Sequence, residues 1–594
     1  MKKLLVPLFA CAAVALPAAQ DRAPSNDLIT KQALKADLFF LASDDLQGRL
    51  TNTPGNRIAA DWIAQRFERM GLAPGGPDGS YYQPYDLMVE TLGPVERNTM
   101  VLVGSTAAVT REYGKDFYPQ RFSASTTAEG ELVFAGFGIT SPDRDYDDYR
   151  DAGAVRGKIV LVIDHEPGES NPASVFDGLV TADAASAQRK AQFAQDRGAI
   201  GILFVSDVHN HEDGVGARGA PGAQGATGAG AQGAPGAQGA PGAQGAQGRG
   251  RGGAPQQPGS LENAARNAWP ATPPRIDRFT LGKWVESIRI PAMQISPMVA
   301  DMLVQGSQRT LAELSQSAET DRGITPKPLP GYRVKLSAAV NRQAIPDRNV
   351  LGLVEGSDPR LKDEVVIVCA HYDHDGADGT RIFNGADDDG SGIVALIEIA
   401  EAYVQAAKAG QRPKRTVLFA AWNSEERGLL GAWAYTEAPT KPLDKIVAVL
   451  NMDMLGRNEE VPPEGGGRFR GLQPQTAQSN SNAINIIGTS RSADMKAAAD
   501  RANAPFGLDL RYRYDNNVSQ LMRRSDHWPF LNHGVPGVWF HTGLHPDYHT
   551  PQDRPERINY DKMEKIARMI HQMSWDLANA NGRPKLAGRA LNEM

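Results

Sequence analysis

The fold is decided by residues 364–410, which read EVVIVCAHYDHDGADGTRIFNGADDDGSGIVALIEIAEAYVQAAKAG. The opening EVVIVCA is almost entirely apolar, which predicts a strand buried on both faces of a sheet. The closing GIVALIEIAEAYVQAAKAG has the apolar spacing of a long amphipathic helix. Between the two lies a loop rich in His and Asp. The segment is therefore a strand followed by a helix, with its polar residues at the carboxyl end of the strand.

The same alternation continues on both sides of this segment. Further strands are predicted where apolar runs recur, at 333–340, 349–356, 416–422 and 446–453, and a second long amphipathic helix covers 560–580. Near-continuous apolar strands separated by helices predict an α/β fold, with a mainly parallel central sheet covered by helices on both faces. In such sheets the reactive residues lie at the carboxyl ends of the strands.

The first half of the chain has a different character. Residues 28–72 predict helices, and the apolar spacing of 56–70 stops at a glycine, as helices often do. Two β-rich runs bounded by Gly and Asp follow at 131–139 and 157–164. This half therefore predicts a helical opening followed by a β-rich region.

Residues 213–259 are of low complexity, with Gly, Ala, Pro and Gln at most positions. A collagen triple helix needs glycine at every third residue. That period breaks at Gly228-Ala229-Gly230, and the run is short and lies inside a globular segment. We therefore predict a surface loop, because this composition cannot contribute to a hydrophobic core.

Charge and cysteine content exclude several classes of protein. The 594 residues carry 63 Lys and Arg against 69 Asp and Glu, a net charge of −6. This argues against a nucleic-acid partner held by bulk charge. Two cysteines exclude a disulfide-stapled scaffold and a Cys-rich zinc module. Any metal must therefore be held by His and carboxylate side chains.

Residues 1–19 have the three parts of a secretory signal in order: a basic start, an apolar run and a small-residue end. We therefore expect export to the periplasm or the medium, with Cys369 as the cysteine of the mature chain. No later segment offers about 18 consecutive uncharged apolar residues, so we expect no stable membrane span.

Candidate metal-binding residues follow several of the predicted strands of the second half. They are His371, Asp373, the Asp387–Asp389 triplet, Glu425, Glu426, Asp453 and His549. Burying so many carboxylates without cations would be costly. His and carboxylate ligands without thiolate suit zinc, with manganese or cobalt as possible substitutes. Because a single catalytic zinc usually takes three protein ligands, this larger set predicts two ions.

Six motifs carry a resemblance to a known family. They are AHYDH, NGADDDGSG, RTVLFAAWNSEERGLLG, VLNMDMLGR, RRSDHWPF and DYHTPQD. In order and context they resemble the co-catalytic zinc aminopeptidases, the family of bacterial leucyl aminopeptidase, aminopeptidase Y and glutamate carboxypeptidase. The resemblance implies a zinc exopeptidase fold, with 20–125 as the N-terminal part of the peptidase domain and 306–594 as its catalytic part. Residues 126–305 resemble an inserted, β-rich protease-associated (PA) domain.

The resemblance also implies a ligand set for the two zinc ions. Asp388 would bridge them, because relatives place the bridging Asp two positions before a glycine. His371 and Asp453 would complete one site. Glu426 and His549 would complete the other.

Further roles follow from the same resemblance. Glu425 would be the general base that takes a proton from a water shared by the ions. Asp373 would orient His371 through its other ring nitrogen. Tyr548 and Arg524 are candidates for contact with a peptide substrate.

Other polar residues have a plainer interpretation. Ser525-Asp526-His527 cannot form a serine-hydrolase relay, which needs side chains that converge from separate positions. Cys369 is expected to pack in its strand. Four histidines are interpreted as structural or rim residues: His374, His533, His541 and His545.

The function implied is that of an exported zinc-dependent aminopeptidase, which removes N-terminal residues from peptides. Three alternatives stay open on the same fold. A carboxypeptidase of dipeptides would need a cationic pocket, which the pair Arg523-Arg524 could supply. A glutaminyl cyclase would use one zinc without the insertion. A receptor-like non-enzyme would lack metal ligands. The sequence does not predict the oligomeric state or the preferred side chain.

Overall fold

The computed structural model describes residues 22–209, 260–465 and 467–587. The predicted signal peptide, 1–19, and the low-complexity segment, 213–259, lie outside the described residues. Both stay predictions.

The α-helices of the described residues are Lys31–Leu41 (α1), Pro54–Met70 (α2), Ala187–Asp196 (α3), Leu261–Ala268 (α4), Gly282–Ser287 (α5), Pro297–Val304 (α6), Leu311–Ala318 (α7), Gly392–Lys408 (α8), Leu430–Glu437 (α9), Ala493–Asn503 (α10), His527–Asn532 (α11) and Tyr560–Asn579 (α12).

The larger sheet has ten strands. In spatial order they are Phe279–Leu281 (β11), Tyr82–Leu92 (β2), Val340–Val354 (β14), Thr416–Trp422 (β18), Val365–His371 (β15), Ile446–Met452 (β19), Gly537–His541 (β22), Ala483–Ile487 (β20) and Asp509–Arg511 (β21), with Ala73–Pro74 (β1) paired to β14.

The second sheet has eight strands. In spatial order they are Ala108–Thr110 (β4), Thr99–Val103 (β3), Lys327–Ser337 (β13), Thr127–Phe134 (β6), Ile159–Ile163 (β9), Gly201–Val205 (β10), Ala292–Ile295 (β12) and Phe117–Pro119 (β5). Two small ribbons pair Thr140–Ser141 (β7) with Tyr146–Asp147 (β8) and Gly376–Asp378 (β16) with Arg381–Phe383 (β17).

The centre of the larger sheet is parallel. Strands β18, β15, β19 and β22 run side by side in the same direction. Strands β14 and β2 extend the sheet antiparallel on one side, and β20 pairs antiparallel with β22 on the other. The α/β class is confirmed, and the parallel strands are those whose carboxyl ends carry the predicted site.

The central strand β15 is buried on both faces, which explains its continuous apolar sequence. Val366 and Val368 belong to the core that includes α8 and α12. Ile367 and Cys369 point to the opposite core, which includes residues of α9 and α11. Cys369 is fully buried there, as expected of a packing residue.

Helix α2 shows why the N-terminal segment folds as predicted. The Thr53 side chain accepts a hydrogen bond from the amide of Asn56, and Pro54 occupies the first turn. The helix ends at Met70, and the following Gly71 has a φ of 97°, which is unfavourable for residues with a side chain. Ile63 and Phe67 are buried on the face turned to the larger sheet.

The second sheet takes its strands from residues 99–337, and the predicted insertion 126–305 falls within that range. A loop between β9 and β10 of this sheet contacts the catalytic part through residues 177–181. The amide of Thr181 donates to Gln520 Oε1 at 3.0 Å, and the Thr181 carbonyl accepts from Arg523 Nη1. The assignment of this region to a PA domain stays a prediction. None of the described helices combines the length and apolar character needed to cross a membrane.

Candidate metal centre

The predicted ligands meet at one edge of the larger sheet. His371 is the last residue of β15, and Asp453 directly follows β19. Glu425 and Glu426 form a short turn after β18, and His549 lies in the loop that follows β22. Because these four strands are parallel, their carboxyl ends share an edge, and side chains from four separate segments of the chain converge there.

Asp388 lies at the centre of this group, with its two carboxylate oxygens facing different partners. Oδ1 is 3.3 Å from His371 Nε2, which is also 3.8 Å from Asp453 Oδ1. Oδ2 is 2.9 Å from His549 Nε2, which is also 3.3 Å from Glu426 Oε2. The carboxylate therefore stands between two groups of potential ligands, with one oxygen in each.

The group around Asp388 Oδ2 contains a residue that the sequence analysis placed elsewhere. His374 was interpreted as structural or at the rim. The structure puts its Nδ1 2.7 Å from Glu426 Oε1 and 3.9 Å from Asp388 Oδ2. The potential ligand atoms of His374, Asp388, Glu426 and His549 all lie within 4.8 Å of one another. The only sequence signal was its position three residues after His371, in the loop that leaves the same strand.

The triplet of aspartates divides into three roles. Asp388 faces the histidines, while Asp389 accepts backbone hydrogen bonds from His371, Gly392 and Met454. Asp387 accepts from the amide of Gly456 at 2.6 Å. The peptide bond between Asp388 and Asp389 is cis. Only the middle carboxylate is turned toward the ligand groups, in agreement with the choice of Asp388 as the bridging residue.

Asp373 supports the site differently from the expectation. Its Oδ1 is 3.6 Å from His371 Nδ1, which is too long for a hydrogen bond. Instead, its carboxylate accepts from the amides of Glu425 at 3.0 Å and Glu426 at 3.3 Å. Asp373 therefore fixes the backbone of the glutamate pair, and its predicted role as the orienting partner of His371 is not supported by the geometry.

Asp375 is an orienting residue that the sequence analysis did not identify. Its Oδ2 is 2.9 Å from His549 Nδ1, so the other ring nitrogen of His549 is left to face Asp388. Its Oδ1 is 2.7 Å from a guanidinium nitrogen of Arg427. Although burial opposes ionisation, His549 and the neighbouring cations hold the pKa of Asp375 far below its usual range. Such a carboxylate behind a ligand histidine fixes the ring.

Arg49 holds the two ligand loops together from behind. This fully buried residue donates to the carbonyls of Tyr372, at 2.8 Å, and of Asn384, at 2.6 Å. It also donates to the carbonyl of Gly385 at 2.9 Å. These carbonyls belong to the loops that carry His371 and Asp388, so an arginine more than 300 residues distant in sequence sets their separation.

The electrostatics of the site fit a cation. Burial raises the pKa of Glu425 well above its usual range, and the neighbouring carboxylates of Glu426 and Asp453 raise it further against the opposing effect of His371. Nε2 of His371 and Nε2 of His549 are buried without a well-directed hydrogen bond. Buried imidazole nitrogens facing buried carboxylates in this way match the donor set of a divalent metal.

Ser525 contacts one of the predicted metal ligands, Asp453, and does not form a catalytic triad. Its hydroxyl donates to Asp453 Oδ2 at 2.5 Å, and so positions that carboxylate. His527 is buried, and burial lowers its pKa to about 3. His541 and His545 are buried as well, and His533 lies partly exposed, 2.8 Å from the Pro529 carbonyl.

The two candidate substrate residues lie beside the cluster. Arg524 Nη2 donates to the hydroxyl of Tyr548 at 3.1 Å, and the Tyr548 and His549 rings are 4.0 Å apart between centroids. Arg523 points away, toward the Thr181 carbonyl and the ring of Trp528. Of the arginine pair, only Arg524 is therefore available on the side of the ligands.

Comparison with known proteins identifies the matched part of the chain. Residues 349–574 match the model described as Peptidase family M28. This segment is a family M28 peptidase domain. It contains every predicted metal ligand, and the resemblance to the zinc aminopeptidase and glutamate carboxypeptidase family is thereby confirmed. The predicted PA domain lies outside the match.

Curated relatives of the chain are named as aminopeptidases, glutamate carboxypeptidases or zinc metalloproteases. Aminopeptidase YwaD of Bacillus subtilis is 26% identical over 259 residues, which are 42% of this chain and 49% of that protein. A probable glutamate carboxypeptidase of Arthroderma benhamiae is 34% identical over 128 residues, 21% of this chain and 16% of its own. The chain therefore spans less than two thirds of these relatives. Among solved structures, an aminopeptidase from Aneurinibacillus sp. strain AM-1 has a TM-score of 0.42 at 15% identity, covering 96% of this chain and 97% of its own.

Proposed function

We propose that the protein is an exported, zinc-dependent aminopeptidase that removes N-terminal residues from peptides, and that it uses two zinc ions. The family of the matched domain supports a zinc-dependent hydrolase. The observation that carries the proposal is Asp388, with one carboxylate oxygen in each of two groups of ligands. A residue in that position can bridge two ions.

The two ligand groups divide between the two proposed ions. His371 and Asp453 would hold one ion together with Asp388. Glu426 and His549 would hold the other, and the ring of His374 is close enough to join them. When bound, zinc supplies Lewis acidity toward the peptide carbonyl and the attacking water.

Glu425 is the proposed general base. Its carboxylate lies next to the ligands, with Oε2 3.8 Å from His371 Nε2, yet it belongs to neither group of ligands. The adjacent Glu426 faces the second group, because neighbouring side chains point in different directions. Glu425 would take a proton from the attacking water and then donate it to the amine of the departing residue.

Two substitutions separate the role of a base from that of a ligand. Glu425→Gln should keep both metal ions and lose turnover by about three orders of magnitude or more, as expected when a general base is removed. Asp388→Ala should lose metal as well. Elemental analysis of each purified variant, with hydrolysis of leucine p-nitroanilide and its N-acetylated form, distinguishes the two. Full activity of Glu425→Gln would contradict the assignment, and equal cleavage of the acetylated substrate would contradict an aminopeptidase.

Export is supported by the composition of residues 1–19. Expression with this segment in a bacterial host should yield a protein in the periplasm or medium whose N-terminus lies near residue 20. A cytoplasmic product that retains Met1 would contradict this part of the proposal.

A further inference from the structure

Two arginines flank Tyr548 beside the proposed metal ligands. Arg524 donates to the Tyr548 hydroxyl at 3.1 Å, and its Cζ lies 5.9 Å from the centre of the tyrosine ring. The Cζ of Arg468 lies 5.7 Å from the same ring. All three side chains are partly exposed, so a ligand can reach them. We call these three residues the arginine pocket.

The two arginines of the pocket have no carboxylate in direct contact among the described residues. Within the part of the chain that the structure describes, neither Arg468 nor Arg524 forms an ion pair with a carboxylate, and Arg524 donates to the phenol hydroxyl of Tyr548. Nη1 of Arg468 is buried without any hydrogen-bond partner. Burial lowers the pKa of Arg468, and the nearby cation Arg524 lowers it further. An unpaired donor on a partly buried cation is unfavourable and is best satisfied by an anion.

Other arginines around the site are paired in the usual way. Arg427 contacts Asp375 at 2.7 Å, and Arg457 contacts Asp547 at 2.7 Å. Arg523 donates to a backbone carbonyl at the contact with the second sheet. Arg427 and Arg457 also have one guanidinium nitrogen each without a hydrogen-bond partner. The arginine pocket differs from them in that, among the described residues, neither of its arginines is in an ion pair with a carboxylate.

The position of the pocket connects it with the proposed reaction. Tyr548 directly precedes His549, and their rings are in contact. The pKa of Arg524 is raised, although burial opposes the shift, because Tyr548 and the carboxylates of Glu425 and Asp388 act on it. Because Arg524 donates to the hydroxyl of Tyr548, whose ring contacts that of His549, a group held by Arg524 would lie close to the scissile bond of a peptide bound at the ligands.

We propose that Arg468, Arg524 and Tyr548 bind a carboxylate of the peptide substrate. Guanidinium groups bind carboxylates through paired, charge-assisted hydrogen bonds, and a tyrosine hydroxyl can donate a further one. The inference rests on the proposed peptidase function and narrows it to substrates with a carboxylate next to the cleaved bond. That carboxylate is either the C-terminus of a dipeptide or the side chain of an acidic residue.

Matched substrates test the pocket in the wild-type holoenzyme and distinguish the two sources. Leu-Leu is compared with Leu-Leu-amide, which lacks the C-terminal charge, and Leu-Asp-amide with Leu-Asn-amide, which lacks the side-chain charge. We expect kcat/KM to favour the charged member of one pair by about 10–100-fold, as charged hydrogen bonds provide. A preference for Leu-Leu over Leu-Leu-amide identifies the C-terminus of a dipeptide as the bound carboxylate. A preference for Leu-Asp-amide over Leu-Asn-amide identifies an acidic side chain instead.

Variants then connect the preference to the pocket. Arg524→Gln and Arg468→Gln should each reduce the ratio between charged and neutral substrates by about tenfold or more. The exposed Arg470, two residues from Arg468, provides the matched control, and Arg470→Gln should keep the wild-type ratio. Zinc content is measured for each variant, so that a lost metal site is recognised.

A binding measurement keeps the pocket testable apart from catalysis. The Glu425→Gln variant is titrated calorimetrically with the four peptides of the two pairs. The charged member of the pair that wild-type enzyme prefers in kcat/KM should also bind this variant with the lower Kd. Equal kcat/KM and equal Kd within both pairs would overturn the carboxylate site while leaving the peptidase intact. Absence of hydrolysis with a retained preference in Kd would instead refute the peptidase and leave the pocket standing.

Discussion

Arg49 offers the sharpest test of how the ligand loops are held. Its guanidinium donates to four backbone carbonyls, those of Leu41, Tyr372, Asn384 and Gly385, at 2.6–2.9 Å. The substitution Arg49→Met keeps much of the apolar stem and removes every donor. All four carbonyls would then be left without this partner in the interior.

The size of the effect follows from the number of carbonyls. Each buried acceptor left unpaired costs about 1–3 kcal/mol. Water entering the vacated space can satisfy some of them, so we expect the lower end, a loss of about 4 kcal/mol in the free energy of unfolding for Arg49→Met. Arg49→Lys keeps the charge but not the planar fork, so its loss should be about half as large.

Urea unfolding of the metal-free protein, followed by tryptophan fluorescence, measures this loss. Metal must be removed because a ligand that binds only the folded state adds its own stabilisation. Trp422 is buried at the end of β18 and reports on the same sheet. The transition of the peptidase part is analysed separately, since a large chain can unfold in more than one step.

The matched control is Arg57→Met. Arg57 is an exposed arginine eight residues away, on α2, and its loss should change the free energy of unfolding by no more than about 0.5 kcal/mol. If Arg49→Met were as mild as Arg57→Met, the idea that one buried guanidinium holds the two ligand loops would be refuted.

Three further predictions concern histidines and their partners. His374→Ala should weaken zinc at one of the two sites by about 10–100-fold, as loss of a ligand-supporting group does, while His533→Ala leaves both affinities unchanged in a chelator competition. Asp375→Asn, which removes the charge behind His549, should weaken zinc over the same range of about 10–100-fold, and an unchanged affinity would contradict its orienting role. Burial lowers the pKa of His571 to about 3. Because its pKa in the unfolded chain is about 6.5, acidification protonates the unfolded state first, and stability should fall by about 2 kcal/mol between pH 7 and pH 5 through this residue. His571→Gln should unfold with a correspondingly flatter pH dependence, and an identical slope would show that another group is responsible.

The sequence predicted the parallel centre of the sheet and its two flanking helices. EVVIVCA, TVLFAAW and IVAVLNM became β15, β18 and β19. These strands are buried on both faces, so their sequences are continuously apolar and easy to recognise. The direction of the antiparallel strands on either side could not be predicted, because parallel and antiparallel strands can have the same apolar periodicity.

The structure brings together most of the residues that the sequence proposed for the site. Ligands at the ends of parallel strands meet whatever loops join them, so His371, Glu426 and Asp453 could be placed together from strand order alone. The structure places Asp373 Oδ1 3.6 Å from His371 Nδ1, longer than a hydrogen bond by a few tenths of an ångström, so the orienting role of Asp373 stays a prediction. Sequence position does not resolve distances of that size.

What the sequence determined by itself is the kind of chemistry: the donor types, their order and the strands that present them. The tertiary structure decided which neighbours those donors meet. His374 and Arg468 lie on loops without periodicity, where nothing in the pattern separates a surface side chain from one turned to the site. The residues that contact them belong to segments tens to hundreds of residues away. Arg468, for example, lies over the ring of Tyr548, which belongs to a different loop. Only folding brings those segments together, because contacts between side chains are set by packing and not by the order of residues along the chain.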